Sequence, residues 1–187
     1  MRKLITVCAA AIVTTAALAT AASAGTAAPA ASCATHWASL PKSGGTLSVA
    51  PLIAVRTSQH GCYDQVVFEF SGRASGYRLQ YGRPVTQGTG VDLAPYMAGG
   101  ALLQVVLLDP DHNIRTGAIT YAHKPGDHVA NILGDRTLRD VIYGGSFEGY
   151  TCFGVGVRTR LPFRVFVLPG PGTHSRIVVD IAHQWTP

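Results

Sequence analysis

Pro162-Phe163-Arg164-Val165-Phe166-Val167-Leu168-Pro169-Gly170, followed shortly by Ser175-Arg176-Ile177-Val178-Val179-Asp180-Ile181, decides the fold class. In the first run Phe163, Val165 and Val167 share one face, with Arg164 and Phe166 on the other. In the second, Ile177, Val179 and Ile181 oppose Arg176, Val178 and Asp180. Alternation of this kind is the period of a strand. Two such runs around a Pro/Gly-rich connector predict a β-hairpin, with Arg164 and Asp180 as a cross-strand ion pair.

The same pattern extends upstream. Short apolar runs separated by Gly, Pro, Asp and Ser predict strands at Leu52–Thr57, Gln65–Ser71, Tyr77–Gly82, Ala101–Leu108, Gly117–Tyr121, Arg139–Tyr143 and Thr151–Arg158. Only Val129–Leu133 and Asp135–Arg139 have room for a short helical turn, and Asp92–Met97 reads as loop. The chain is therefore expected to be all-β, a β-sandwich or flattened barrel. Leu102–Leu108 is apolar on both faces and reads as a central strand. In Thr151–Val157, Phe153, Val155 and Val157 share one face, while Cys152, Gly154 and Gly156 leave the other open to close approach by a backbone or a flat ligand.

A faint repeat runs through these strands. Leu52-x-x-Val55 and Tyr77-Arg78-Leu79 return 86 residues later as Leu138-x-x-Val141 and Phe163-Arg164-Val165. The simplest expectation is two similar β-units packed face to face, each supplying one sheet.

The start of the chain reads as a secretory signal peptide, residues 1–24: Arg2-Lys3, an apolar stretch from about Leu4 to Ala22, then Ala22-Ser23-Ala24. No basic stop-transfer cluster follows, which argues against a membrane anchor, and Cys8 lies too early for lipidation. Residues 25–32 are small and featureless and read as a disordered spacer, leaving 33–187 as one domain. Without the leader, 13 basic residues (11 Arg, 2 Lys) face 10 acidic ones, scattered along the chain. That pattern argues against a nucleic-acid partner.

Export places the cysteines in an oxidising compartment. Of Cys33, Cys62 and Cys152, the expected disulfide is Cys33–Cys62, pinning an N-terminal arm to the turn Gln59-His60-Gly61-Cys62. Cys152, inside a strand pattern, reads as a small buried hydrophobe rather than a nucleophile.

Little points to catalysis. Gly144-Gly145-Ser146-Phe147-Glu148-Gly149 has Glu148 where a nucleophile elbow needs Gly, so it reads as a turn or bulge. A hydrolase built on Ser146, Glu148 and a histidine is a remote alternative. Asp64, Glu69, Glu148 and Asp180 show no spacing that selects a catalytic pair. Asp111-His112, His123 and Asp127-His128 lack the spacing of a zinc motif. No enzyme activity, metal or cofactor is expected.

Taken in order, several pieces resemble the exported AMIN-like proteins of actinobacteria. They are Cys33-x-x-x-Trp37 with Leu40-Pro41-Lys42-Ser43, Val55-Arg56-Thr57, and Tyr63-Asp64-Gln65-Val66-Val67-Phe68-Glu69-Phe70-Ser71-Gly72. Gly76-Tyr77-Arg78, Gly99-Gly100-Ala101-Leu102-Leu103-Gln104-Val105, Gly145-Ser146-Phe147-Glu148-Gly149, the C-terminal hairpin and Ala182-His183-Gln184-Trp185 follow. The resemblance implies a β-sandwich outside the membrane with no catalytic residues, of a type associated with peptidoglycan; a stand-alone copy, with no amidase, secretin or other partner domain attached, is expected.

The resulting expectation is a secreted, cell-wall-associated, non-catalytic monomer that binds wall glycan. Its candidate ligand-binding residues are Arg78, Gln80, Arg164 and Phe166, which the repeat puts on equivalent outward faces. An alternative is a protein-interaction module that accepts a partner's strand at an open sheet edge.

Overall fold

The computed structural model describes Cys33 and residues 35–185. The leader expected at 1–24 and the spacer at 25–32 lie outside the described residues. Among the described residues nine strands form: β1 (Lys42–Gly44), β2 (Leu52–Gln59), β3 (Tyr63–Phe70), β4 (Tyr77–Tyr81), β5 (Ala101–Leu107), β6 (Leu138–Phe147), β7 (Tyr150–Val157), β8 (Phe163–Pro169) and β9 (Ser175–Ala182). The one helical element among the described residues is a 3-10 turn at Ala94–Tyr96, inside the stretch expected as loop. No helix among them is long and apolar enough to cross a membrane.

All pairings are antiparallel. A five-stranded sheet has the order β1-β4-β5-β7-β6, and a four-stranded sheet the order β2-β3-β9-β8. The fold is a β-sandwich, as the strand spacing predicted, and β5 is interior to its sheet. Leu52, Val66, Phe68, Phe70, Phe163, Ile177, Val179 and Ile181 from one sheet meet Leu103, Val105, Leu107, Val141, Tyr143, Phe153, Val155 and Val157 from the other. At the centre the Phe68 and Phe153 rings stand 5.0 Å apart. The face assignments for Phe163, Val165, Ile177, Val179 and Phe153 follow the alternation.

The repeat is present, but its units are exchanged rather than stacked one sheet each. Strands β2-β3-β4-β5 correspond to β6-β7-β8-β9. Each unit gives its first hairpin to one sheet and its second hairpin to the other. The register itself repeats: Ala54↔Glu69 is answered by Asp140↔Gly156, Leu79↔Val105 by Val165↔Val179, and Phe68↔Ile177 by Val155↔Leu103. Both leading hairpins carry a bulge after the first residue, at Leu52/Ala54 and Leu138/Asp140. The 86-residue offset holds for the first and third strands of each unit, slips by one in the second, and is lost in the last, because residues 82–100 join β4 to β5 while a short turn, 170–174, joins β8 to β9.

Three expectations require correction. Gly117–Tyr121 is not a ladder strand. Asn113 Oδ1 accepts from the Arg115 and Thr116 N–H groups, Gly117 has φ +71°, and only an isolated bridge joins His112 to Ile119. This local turn chemistry overrides the β-branched composition. Neither helical turn forms. Val129 instead donates its N–H to Val141 O at 2.9 Å, and β6 begins at Leu138. Strand β1 escaped detection because Lys42-Ser43-Gly44 has no strand composition. There Gly44 packs against the Tyr77 ring, and a Cβ would stand 2.9 Å from its hydroxyl.

The Gly144–Gly149 run is a bulge and a turn, as expected. The register shifts between Tyr143 and Gly145, and Glu148 (φ 51°) and Gly149 (φ 80°) form the two-residue hairpin loop. The small-residue face of β7 receives backbone. A Cβ on Gly156 would stand 1.9 Å from Ala98 O, and one on Gly154 2.5 Å from Met97 Sδ. Cys152 is free and buried there, its Sγ donating to Val85 O at 3.1 Å. Burial pushes its thiol pKa up to about 12.

Candidate functional site

The additions to the symmetric core fall mostly on the five-stranded sheet. The long β4–β5 connection lies over the outer face of β7, β1 pairs with the edge of β4, and Gly126–Val129 bonds along the edge of β6. On the four-stranded sheet the loop at 129–135 flanks the edge of β2, and the N-terminal arm covers one end. There the disulfide Cys33–Cys62 ties the N-terminal arm to the β2–β3 turn, as expected from the cysteines. The arm then passes over that end of the sheet, and Ala38 O accepts the Phe163 N–H at 3.2 Å.

This arrangement builds an aromatic cluster around Arg164. The arm delivers Trp37 edge-on to Tyr63, with centroids 5.7 Å apart, and Tyr63 stacks on His60 at 4.6 Å. The Arg164 guanidinium carbon lies 4.4 Å from the Trp37 centroid, 5.2 Å from Phe166 and 5.6 Å from Tyr63. Its Nε donates to Asp180 Oδ2 at 2.8 Å, while Gln65 Nε2 donates to Asp180 Oδ1 at 2.8 Å. Asp180 is fully buried and both its oxygens are satisfied, so a charge that would be costly alone is stable here. The cross-strand pair read from alternation is therefore present. Its planar cation orders three rings, a favourable geometry for each.

Farther along the same outer face, Glu69 gathers Arg56 and His174; its Oε1 is 3.0 Å from His174 Nδ1. The His174 hydrogen bond and, next, the Arg56 charge hold the Glu69 carboxyl below its usual range against the opposing effect of burial. Between the two ion pairs runs an apolar row: Val67, Val178 and Phe166 pair across β3, β9 and β8. The surface is part aromatic and flanked by arginine–carboxylate pairs.

Arg164 and Phe166 thus belong to one constructed surface. Arg78 and Gln80 occupy the equivalent outward positions of β4, on the other sheet, beside a cleft of about 300 Å³ lined also by Lys42, Gln104 and Val106. The two candidate pairs lie on different sheets and do not form one site. Sequence reading missed Trp37 and Tyr63. The signal was available: the expected disulfide sets Cys33-x-x-x-Trp37 beside Cys62-Tyr63.

The other chemical candidates lie apart from one another. Asp64, buried, accepts the Thr137 and Leu138 N–H groups and sits 2.8 Å from His183 Nε2. Ser146 Oγ accepts from Thr151 at 3.0 Å, and Glu148 is exposed on its turn. His112, His123 and His128 face three different carboxylates, Asp111, Asp127 and Asp140. Among the described residues no group of three His, Cys, Asp or Glu side chains converges as a metal site.

A family model described as the AMIN-like domain matches residues 50–183. No curated protein matches the chain.

Proposed function

The chain belongs to the AMIN-like domain family, and from that membership we propose that it is a secreted, non-catalytic cell-envelope module that binds wall glycan, peptidoglycan in particular. The observation that carries the reading is the Trp37–Tyr63–Phe166 cluster around Arg164 on the four-stranded sheet. Aromatic faces pack against the C–H faces of sugar rings, and their polar rims and neighbouring arginines hydrogen-bond hydroxyl and carboxylate groups. The leader-like start of the chain supports export. The carboxylates of this face, Glu69 and Asp180, are already bonded to arginines, which supports binding rather than bond cleavage.

Co-sedimentation with purified peptidoglycan sacculi across a salt series tests it. Pelleting should survive moderate salt and fall roughly fivefold in affinity, about 1 kcal/mol, for Trp37→Ala or Phe166→Ala. Pelleting abolished by moderate salt would reduce the interaction to charge attraction. Absence of pelleting at low salt would sink the proposal.

A further inference from the structure

The repeat makes one edge conspicuous. Strand β8 stands where β4 stands in the other unit; β4 has β1 on the edge away from β5, whereas among the described residues no strand pairs with the edge of β8 away from β9. Ala182 N donates to Pro162 O and Gly170 N to His174 O, bracketing the β8–β9 ladder. Residues 164, 166 and 168 therefore turn their backbone groups toward β9, and Val165 and Val167 turn theirs outward. The outward positions at either end are closed. The Phe163 N–H already bonds Ala38 O, and Pro169 has no N–H. The free edge of β2 differs, because the loop at 129–135 flanks it and Asn131 O takes the Thr57 hydroxyl at 2.6 Å.

We propose that β8 is a self-association edge, through which two copies of the chain pair antiparallel about a two-fold axis at Val167. The closed ends select this register. An axis at Phe166 would drive Pro169 of one copy into the place Ala38 occupies beside Phe163. An axis at Leu168 would leave the Val165 N–H unpaired. With the axis at Val167, the two Val167 residues exchange bonds, and each Val165 N–H meets the C=O of the partner's Pro169. All four free donors are then used, and the prolines are asked for none.

The side chains agree with this pairing. On the outer face Phe166 stands opposite the partner's Leu168, and Arg164 opposite the partner's Gly170, so no like charges meet. On the inner face Val167, 36% exposed in one copy, meets its equivalent. An isologous interface requires this self-complementarity. A strand pair this short lies at the small end of specific interfaces, so the association is weak and concentration-dependent. It departs from the monomer expected from sequence. It also joins two four-stranded sheets into one continuous face carrying two Arg164 clusters. Avidity for a repeating polymer would follow; that consequence rests on the glycan reading, but the pairing does not.

Sedimentation velocity of the protein in the absence of glycan tests the pairing. The native chain should shift from monomer to dimer with rising concentration below about 1 mM. Val167→Pro removes the outward N–H without removing a β8–β9 hydrogen bond, and the folded variant should remain monomeric. In oxidising buffer, Phe166→Cys mixed with Leu168→Cys should cross-link about tenfold more than either variant alone, because facing non-hydrogen-bonded residues meet disulfide geometry. A native chain monomeric throughout this range would overturn the proposal, as would unaltered association of a folded Val167→Pro. Equal cross-linking by Phe166→Cys alone would overturn the register. Should Val167→Pro fail to fold, the cysteine mixture decides.

Discussion

Arg164 is held between an aromatic ring and a buried carboxylate: its guanidinium lies 4.4 Å from the Trp37 centroid while its Nε bonds Asp180 at 2.8 Å. One residue thereby fastens the N-terminal arm to the outer face of the sheet. Its charge is largely answered by Asp180, so the surface presents rings more than net cation. Asp180→Ala should destabilise the domain by about 3 kcal/mol, because Arg164 and Gln65 both lose a buried acceptor. Urea unfolding measures it, and a loss below about 0.5 kcal/mol would show that the pair does not anchor the cluster.

Removing the disulfide should act on the same cluster. Cys33→Ser with Cys62→Ser frees a loop closed over a separation of 29 residues. Roughly 3 to 4 kcal/mol of stability should disappear. Trp37 should also become more exposed, read as a red shift of tryptophan emission that a Trp37→Phe background abolishes.

Close backbone approach over β7 makes Gly156 intolerant. Gly156→Ala would force a Cβ within 1.9 Å of Ala98 O, whereas Gly61→Ala meets nothing within 4 Å. The first should cost at least about 2 kcal/mol or release the 82–100 connection to protease, and the second should be near neutral. Limited proteolysis with thermal unfolding distinguishes them.

Asp109 gives the domain a pH dependence of defined sign. Burial raises its carboxyl to about 7 despite the Ser48 hydrogen bond that opposes the shift. The folded state then holds a proton that the unfolded state releases from about pH 4 upward. Stability from this group is present at low pH and falls as pH rises toward 7. Asp109→Asn should remove that slope. Unfolding midpoints at a series of pH values check it, and an unchanged slope in Asp109→Asn would assign the effect elsewhere. Glu69 acts oppositely: its lowered carboxyl contributes stability that is lost as pH falls through the acid range.

Cys152 should resist thiol reagents in the native state, since its buried thiol is raised to about 12. Rapid labelling by a disulfide reagent at neutral pH without denaturant would contradict its burial. Labelling should appear together with global unfolding.

Local pattern carried most of the fold. Period-two alternation at Phe163–Val167 and Ile177–Ile181 identified strands and faces because side-chain direction in a strand depends only on position parity. Gly117–Tyr121 misled because composition cannot report a turn held by the Asn113 side chain. Lys42–Gly44 was invisible because its strand state comes from the partner β4, not from its own residues.

Alternation, cysteine placement and the 86-residue offset were enough, from sequence alone, for an all-β sandwich, the Cys33–Cys62 bridge and two related units. They also put Arg164 and Phe166 on one face. Which strand lies beside which was decided only in three dimensions. The offset is identical whether each unit forms one sheet or the units exchange hairpins, because a repeat records similarity and not pairing. The same holds for the site. Trp37 and Arg164 are distant in sequence and meet only because a disulfide and the β3-β9-β8 order carry them to one end of one sheet.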